Sequence, residues 1–295
     1  MPEPLGHEPV MLAEVLEHLR PHGGGIVVDG TLGAGGHAEA ILERTTPDGR
    51  LFGFDRDPTY LEETKRRLAR FGARVTVVCE NYADAPAWLR DHGVTSIDAF
   101  LIDAGCSSMQ LDDPERGISF SKDGPLDMRM DPRLPETAAD LVAKLGVGDL
   151  ERIFREFGEE AQARRIARKI VDVRKRAPIV RTRELAELVR ATVGSGGRIH
   201  PATRVFQALR IAVNCELEAL EKGVRGAIDC LAPGGRLVVL TFQSLEERVV
   251  KQVLRDAERQ GRVRLIADAP VLPTDAEIAR NPRARSAKLR SAERI

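Results

Sequence analysis

Short, largely apolar runs alternate with stretches of helical periodicity along the chain. The runs span residues 26–28, 51–54, 74–79 and 96–102, and one more spans 236–242. Runs of this length are typical of strands that are covered on both faces, and the stretches between them predict amphipathic helices. The alternation therefore predicts an α/β protein with a mostly parallel, doubly wound sheet, which binds its ligand beyond the carboxyl ends of the strands.

The alternation stops between residues 112 and 214, where a loop rich in glycine and proline leads into helical patterns. Within this segment Thr182 is placed to cap a helix. We expect an α/β domain built from residues 1–111 and 215–295, interrupted by an inserted all-helical domain at 112–214 that recognises the substrate. The basic stretch from Asn281 to Arg290 lacks periodicity, so it predicts either a disordered tail or a strip that orders on nucleic acid.

Charge is distributed unevenly along this chain. The 295 residues are 42% hydrophobic and 31% charged, which is enough to bury a core, and the formal net charge is zero. Residues 164–210 nevertheless hold thirteen Arg and Lys against three Asp and Glu, and residues 280–295 hold six against one. Such local excesses indicate a phosphate-rich partner, although a solvated helix face would show the same pattern.

The cysteines and the apolar segments bear on metal binding and location. None of the four cysteines has C-x-x-C spacing, so neither a zinc site nor a disulfide framework is predicted. The N-terminal residues lack the pattern of a signal peptide, and no apolar stretch approaches membrane-spanning length. We expect a soluble cytoplasmic protein without a metal, and a homodimer is among the assemblies that the sequence allows.

A glycine turn follows the first predicted strand. Gly33, Gly35 and Gly36 remove the Cβ atoms that would obstruct a ligand, and the helix that begins at His37 directs its free N–H groups into the turn. A ligand with a ribose and a charged end fits such a turn. Gly33, Gly35 and Ala38 also satisfy the dinucleotide fingerprint, so a nicotinamide-dependent dehydrogenase stays open at this point.

Acidic residues stand at the ends of three predicted strands. Asp29, Asp55 and Asp103 follow the first, second and fourth runs, and Asp55 lies 22 residues after Gly33, where an acid that binds ribose hydroxyls is expected. A single acid at a strand end is commonly a turn former, but three at one edge predict a site. Tyr82, after the third run, is placed either to cover an adenine ring or to pack in the core.

Three further stretches are dense in specific side chains. They are Asp103-Ala-Gly-Cys-Ser-Ser-Met-Gln110, Arg116-Gly-Ile-Ser-Phe-Ser-Lys-Asp-Gly-Pro-Leu-Asp-Met-Arg-Met-Asp131 and Phe206-Gln-Ala-Leu-Arg-Ile-Ala-Val-Asn-Cys-Glu-Leu217. With them, the whole chain from His7 to Arg290 resembles the RsmH (MraW) family of S-adenosylmethionine-dependent methyltransferases. The resemblance implies a Rossmann-like methyltransferase domain with a helical insertion. It also implies methylation of the exocyclic N(4) amine of a cytidine in the decoding centre of 16S rRNA, within the small ribosomal subunit.

The resemblance and the pattern together give a set of candidate site residues. For S-adenosylmethionine they are Gly33, Gly35, Gly36, His37, Asp55, Tyr82, Asp103 and Gln110. For the substrate they are Arg116, Arg129, Arg204, Phe206, Gln207, Arg210, Asn214, Gln243, Arg283 and Arg285. Phe206 is either a stacking platform for the extruded base or an ordinary core residue. The catalytic candidate is Asp103, which with the backbone of Ala104 and Gly105 would hold the amine, or which contacts only the amino acid end of the cofactor.

The chain departs from the family pattern at several positions. Where the family has S-F-H-S-L-E-D-R, this chain has Thr241-Phe-Gln-Ser-Leu-Glu-Glu-Arg248, so Gln243 replaces a histidine and Glu247 an aspartate. The family motifs D-L-G-V-S-S and R-G-F-S-F also differ, at Ala104, Cys106 and Ile118. A mechanism that needs an imidazole at position 243 is excluded, and a positioning role remains. The alternative is a methyltransferase-like factor that binds rRNA and assists assembly without turnover.

Overall fold

A computed structural model of the protein describes residues 8–194 and 200–295. His7, where the resemblance to the family begins, and Arg198, one of the basic residues of the 164–210 segment, lie outside the described residues. The chain divides into two compact units, one made of residues 1–105 and 217–295 and the other of residues 106–216.

The first unit is built on a seven-stranded sheet with the order β3-β2-β1-β4-β5-β7-β6. The strands are β1 Ile26–Asp29, β2 Arg50–Phe54, β3 Val75–Val78, β4 Ile97–Asp103, β5 Leu231–Thr241, β6 Val263–Leu265 and β7 Lys288–Arg294. Strands β1 to β5 pair in parallel, and β7 is antiparallel to both of its neighbours. The first five strands have the order of a Rossmann-like, doubly wound sheet, so the predicted fold class is confirmed.

Thirteen α-helices are present in the described chain. They are α1 Leu12–Leu19, α2 Gly36–Arg44, α3 Pro58–Leu68, α4 Ala85–Asp91, α5 Ser108–Asp112, α6 Ala138–Lys144, α7 Val147–Glu156, α8 Ala163–Arg174, α9 Thr182–Val193, α10 Ala202–Asn214, α11 Glu216–Cys230, α12 Ser244–Arg259 and α13 Asp275–Arg280. Helices α5, α10 and α13 had no counterpart in the periodicity. Among the described residues, no helix is both long and apolar enough to cross a bilayer.

The sheet separates two apolar layers. Successive residues of a strand point to opposite faces, so Phe100 and Ile102 of β4 pack in the layer that α4, α11 and α12 cover. Leu101 of the same strand points into the other layer, against α1 and α2. Because both faces are covered, the parallel strands are largely apolar, and this is why their runs could be recognised in the sequence.

The stretch after Asn281 is neither a disordered tail nor a free strip, and this expectation was wrong. Residues 288–294 form β7, which pairs with β5 on one side and with β6 on the other. Leu289 and Ala292 are buried in the core, and Arg290 is buried beside the carboxylate of Glu247, to which it donates hydrogen bonds of 2.9 and 2.7 Å. The paired charge lets a basic sequence occupy an interior strand.

The second unit is helical, with one core. Buried side chains of α6 to α10 form this core together with Leu126 and Met128 of the preceding loop. Thr182 does not cap α9, contrary to the expectation, because Arg181 is the N-cap residue. The Thr182 hydroxyl instead accepts a hydrogen bond of 3.0 Å from the N–H of Gly124, which ties the loop to the helix.

Candidate active site

The glycine turn lies between β1 and α2 and is held by hydrogen bonds. Gly33 and Gly35 have φ of +48° and +79°, in the left-handed region that side chains disfavour. The Gly33 N–H donates to Asp55 Oδ2 over 2.8 Å, and the Thr64 hydroxyl donates to the Gly33 carbonyl over 2.6 Å. A Cβ on Gly36 would lie 3.2 Å from the ring of Pro9, so the turn is tightly packed from behind.

Asp55 extends from the end of β2 beside this turn. Besides the bond from Gly33, its Oδ1 accepts a hydrogen bond of 2.9 Å from the N–H of Asp57. Burial raises the pKa of its carboxyl, and the two backbone N–H donors oppose that rise. Each carboxylate oxygen keeps a further lone pair, so Asp55 can accept hydrogen bonds from ribose hydroxyls while it holds the turn.

Asp29 and Asp103 place two carboxyl groups at the ends of neighbouring strands. Asp29 Oδ1 accepts a hydrogen bond of 3.1 Å from the N–H of Thr31, and the Thr31 hydroxyl accepts one of 2.7 Å from the N–H of Asp103. Asp29 Oδ2 and Asp103 Oδ1 are buried and accept no hydrogen bond from the described residues. Burial is the main cause that raises the pKa of Asp29 to about 7 and that of Asp103 to about 8.

Repulsion among acids adds to the effect of burial. The negative charge of Asp29, followed by that of Glu246, further raises the pKa of Asp103. Buried acidic oxygens without donors fit a ligand that brings positive charge, and S-adenosylmethionine carries a sulfonium and an ammonium. The strand-end pattern put Asp29 at this edge but did not single it out as a site residue.

His37 lies in the first turn of α2 and is buried. Its Nε2 donates a hydrogen bond of 3.1 Å to the carbonyl of Val10, and its Nδ1 lies 3.9 Å from Asp103 Oδ2. Burial lowers the pKa of the imidazole to about 4, so the ring is neutral at pH 7. Because a carbonyl can only accept, the proton is on Nε2, and Nδ1 presents a lone pair toward Asp103.

Two other cofactor candidates, Tyr82 and Gln110, make contacts within their own units. Tyr82 is buried at the start of a short 3₁₀ turn, and a Cβ on Gly223 would lie only 2.5 Å from its ring, so the ring packs against α11. In the second unit, the side-chain oxygen of Gln110 accepts a hydrogen bond of 3.0 Å from the N–H of Ser107 and closes the first turn of α5. Their contacts with the cofactor stay predictions.

Helix α12 begins at the end of β5, next to the strand that carries Asp103. Glu246 Oε2 accepts hydrogen bonds of 2.8 and 3.2 Å from the N–H groups of Phe242 and Gln243. The side-chain oxygen of Gln243 is buried and accepts no hydrogen bond from the part of the chain that is described. Asp103 pairs with Leu240 across the sheet, so Asp103 and Gln243 stand at the same edge with acceptor oxygens to offer.

Several substrate candidates of the second unit hold their own unit together. Arg210 makes a buried ion pair with Glu216, at 2.8 and 3.0 Å, and its contact with the substrate stays a prediction. Asn214 is buried and accepts a hydrogen bond of 2.7 Å from the N–H of Met130. Phe206 is a core residue, with its ring 4.8 Å from that of Phe120.

Two arginines of the loop before α6 also make their hydrogen bonds within the second unit. The guanidinium of Arg116 is buried and donates hydrogen bonds of 2.8 and 2.7 Å to the carbonyls of Arg129 and Met130. Arg129 makes a two-point ion pair with Asp127, at 2.8 and 2.7 Å, and also donates to two loop carbonyls. The dense motif between residues 116 and 131 is therefore a loop in which these two arginines bind backbone carbonyls and a carboxylate of the loop itself.

The remaining substrate candidates reach solvent. Arg204 is exposed on α10, and Gln207 of the same helix donates a hydrogen bond of 3.1 Å to the carbonyl of Phe157. In the first unit, Arg283 and Arg285 are exposed on the short 3₁₀ turn Pro282–Ser286 that precedes β7. Among the described residues, no group of three His, Cys, Asp or Glu side chains is arranged to hold a metal ion.

Comparisons with known proteins agree along the whole chain. The MraW methylase family matches residues 4–295. A relative from Geobacter sulfurreducens, named "Ribosomal RNA small subunit methyltransferase H", is 51% identical, with 98% of this chain and 99% of that protein covered. One of the same name from Syntrophotalea carbinolica is 50% identical, with 98% of each covered. Among solved structures, a putative rRNA methylase from Clostridium thermocellum aligns with a TM-score of 0.48 at 12% identity, covering 96% of this chain and 93% of that one.

Proposed function

The chain belongs to the MraW methylase family, and we propose that it transfers the methyl group of S-adenosylmethionine to the exocyclic N(4) amine of a cytidine. We further propose that this cytidine lies in the decoding centre of 16S rRNA, in the small ribosomal subunit in the cytoplasm. The relatives named as small-subunit rRNA methyltransferases support the rRNA substrate. The choice of the amine is argued from the site.

One observation carries the choice of an amine. Asp103 Oδ1 and the side-chain oxygen of Gln243 are buried acceptors that lack donors within the described chain, and they stand at the ends of the neighbouring strands β4 and β5. A buried acceptor without a donor is costly, so the site favours a ligand that supplies N–H groups. The exocyclic amine of cytosine has two N–H groups, and we assign one to each acceptor.

The chemistry asks mainly for positioning. S-adenosylmethionine, when bound, supplies a methyl group already activated on a sulfonium. The amine is a poor nucleophile because its lone pair is delocalised into the ring, and acceptors on its N–H groups return electron density to the nitrogen. Asp103 is the catalytic residue in this scheme, because its carboxylate orients the amine and accepts one amine proton as the new C–N bond forms.

Gln243 and His37 complete this arrangement without exchanging protons. The amide oxygen of Gln243 holds the second N–H, so the loss of the family's histidine removes an imidazole but leaves an acceptor. The neutral ring of His37 adds no positive charge beside Asp103. Positive charge near Asp103 therefore comes from the methyl donor, which favours the carboxylate form when it is needed.

Recognition of the rRNA is assigned to the inserted domain at residues 112–214, between the methyltransferase segments 1–111 and 215–295. The exposed residue Arg204 and its neighbour Gln207 are candidates for contacts with the RNA, and Arg283 and Arg285 add basic charge before β7. The target base must leave its stack to reach Asp103, as in other enzymes that modify bases. A homodimer stays a prediction, which light scattering can check.

The test is mass spectrometry of nucleosides from small ribosomal subunits that lack the modification. After incubation with the protein and S-adenosylmethionine, we expect N(4)-methylated cytidine, and we expect Asp103→Asn to lower the single-turnover rate by roughly a hundredfold, a typical size for removing a general base. Methyl groups on another base, or none with the wild-type protein, would contradict the proposal.

A second candidate function is an rRNA-binding assembly factor without turnover. It is motivated by Gln243, since the imidazole that the family usually has there is absent. It predicts that the protein binds small subunits tightly and forms no methylated product even in a single-turnover assay. A nicotinamide-dependent dehydrogenase would be supported only if calorimetry showed binding of NAD in preference to S-adenosylmethionine.

A further inference from the structure

Residues 8–11, here called the N-terminal strap, lie directly on the glycine turn. The ring of Pro9 is the nearest neighbour of Gly36, 3.2 Å from where a Cβ would be. The carbonyl of Val10 accepts the hydrogen bond from His37 Nε2 over 3.1 Å. The strap thus contacts both residues that begin α2, the helix whose free N–H groups face the cofactor site.

The strap is held by residues far away in the sequence. Glu277, on α13, is only 6% exposed, and its Oε1 accepts a hydrogen bond of 3.0 Å from the N–H of Met11. Asn281, directly after α13, is 8% exposed and donates a hydrogen bond of 3.1 Å to the carbonyl of Glu8. Arg280 joins the two sides, because it pairs with Glu277 and lies 2.6 Å from the carboxylate of Glu8.

The backbone of the strap needs these contacts. Met11 has a φ of +52°, in the left-handed region that a residue with a side chain rarely adopts, and its own side chain does not cap α1. The carboxylate of Glu277 supplies the negative charge and the acceptor that the N-terminus of α1 otherwise lacks. Without it, a buried N–H loses its acceptor and the strained conformation loses its support.

We propose that Glu277 and Asn281 are positioning residues of the S-adenosylmethionine site, which hold the strap against Gly36 and fix the ring of His37 in front of Asp103. The inference rests on cofactor binding and not on the identity of the methyl acceptor. It gives a function to α13 and to Asn281, which lie outside the strands and turns that carry the site itself.

The effect on the cofactor follows from populations. When the strap is released, the His37 ring no longer has the Val10 carbonyl as an acceptor for its Nε2 proton. The glycine turn then populates several conformations. S-adenosylmethionine must then bind the ordered form only. The apparent affinity falls in proportion to the fraction of molecules in which the turn is ordered. The affinity for rRNA has no such dependence.

The test is calorimetric titration of the full chain with S-adenosylmethionine in the absence of RNA. We expect Glu277→Ala to raise the Kd roughly tenfold, the size of effect expected for one charged hydrogen bond. Glu277→Gln keeps an oxygen for the Met11 N–H, so it should stay within about threefold of the wild type. Asn281→Ala, which leaves Met11 capped, should fall between them, and it serves as the probe if Glu277→Ala does not fold.

A matched control separates positioning from general destabilisation. Val263→Ala makes a small cavity at a buried position of β6, and denaturant unfolding will show whether it costs as much stability as Glu277→Ala. We expect the control to leave the Kd unchanged. Histidine ring ¹⁵N spectra should show His37 locked in the Nε2–H form in the wild type and in the control, and averaged in Glu277→Ala.

The proposal is overturned if Glu277→Ala and Asn281→Ala bind S-adenosylmethionine like the wild type. It is also overturned if Val263→Ala loses as much affinity, or if Glu277→Gln is as weak as Glu277→Ala. None of these outcomes bears on which base is methylated. Conversely, a failure to find N(4)-methylated cytidine leaves the titrations unaffected.

Discussion

Among the individual side chains, the carboxyl groups of Asp29 and Asp103 are the most sensitive to what occupies the site. Both pKa values are raised from an ordinary value near 4, chiefly by burial, to about 7 and about 8. Near neutral pH the pair therefore holds a proton when no cation is near. A bound sulfonium favours the charged carboxylate, so the pKa values fall and protons are released on binding.

We predict that the affinity for S-adenosylmethionine rises with pH between about 6 and 8.5 and levels off above that range. At the lower end of this range both carboxyls are largely protonated, and binding must expel protons; above its upper end the carboxylates are mostly charged already. The limit is about tenfold in Kd per pH unit for each proton released. Calorimetry in two buffers of different ionisation enthalpy counts those protons.

Asp103→Asn is the control for this pH dependence. It removes one of the two titrating groups, so the slope should be shallower and fewer protons should be released. A Kd of the wild-type protein that does not change between pH 6 and 8.5 would refute the linkage.

The buried pair of Arg210 and Glu216 gives a prediction about stability. Arg210→Ala leaves a buried carboxylate without its partner, so we expect a loss of about 3–5 kcal/mol in the free energy of unfolding. The double variant Arg210→Met/Glu216→Leu removes both charges and should recover most of that loss. Arg204→Ala, at an exposed position of the same helix, is the matched control and should change stability by under about 0.5 kcal/mol.

Denaturant unfolding of the three variants measures these differences. If Arg210→Ala were as stable as Arg204→Ala, the pair would not support the second unit.

The sequence predicted where the acids and glycines of the candidate site stand, and it did not predict the partners of the arginines. Asp29, Asp55 and Asp103 were legible because the carboxyl ends of parallel strands meet at one edge, a rule that needs only the strand pattern. The ion pair of Arg210 with Glu216 and the contact of Phe206 with Phe120 were not predictable, because a single sequence does not state which side chains pair. The roles of both residues toward the substrate stay predictions.

Among the helices and strands, α8 has one buried apolar side and one exposed basic side. Ile166, Ala167 and Ile170 are buried on one side of the helix, and exposed basic residues follow the other side. These are Arg164, Arg165, Arg168 and Lys169. The exposed side of α8 therefore carries a row of positive charges. This is the pattern of a surface that contacts phosphates.

We predict that Arg168→Glu/Lys169→Glu weakens the binding of 16S rRNA at least about tenfold at moderate salt, because phosphate contacts dominate such affinities. The slope of log Kd against log salt should also become shallower by roughly 0.7 for each phosphate that is no longer neutralised. Filter binding over a salt series measures both. S-adenosylmethionine affinity should not change.

Arg255→Glu/Arg259→Glu on α12 is the matched control, with the same change of charge at two exposed positions of the first unit. It should bind rRNA like the wild type. Equal losses of affinity for the two variants would mean that only net charge matters and that α8 has no special part.

At the scale of the whole molecule, the region after Asn281 completes the sheet of the first unit. β7 forms antiparallel pairs with both β5 and β6, and Arg290 supplies the positive charge beside Glu247. The sequence did not reveal this, because residues 288–294 are mostly polar and an interior strand normally reads as apolar. The parallel strands were predictable because they are largely apolar.

We predict that removing residues 282–295 abolishes folding of the first unit and does not leave a folded enzyme that merely binds RNA less well. The truncation exposes an edge of β5 and leaves Glu247 without its cation. Circular dichroism and calorimetric titration with S-adenosylmethionine measure the result. Arg283→Ala/Arg285→Ala, at exposed positions before the strand, should fold normally, and a truncated chain that still binds S-adenosylmethionine would contradict the prediction.

The place of β7 also has a consequence for biosynthesis. The ribosome makes β5 and β6 before it makes the strand that separates them, so a nascent chain of this protein carries an open, apolar sheet border throughout that interval. Such borders recruit other strands, and two half-made copies on one messenger would be natural partners for each other. The late synthesis of β7 therefore makes the end of translation the stage at which this chain is most exposed to mispairing of its strands.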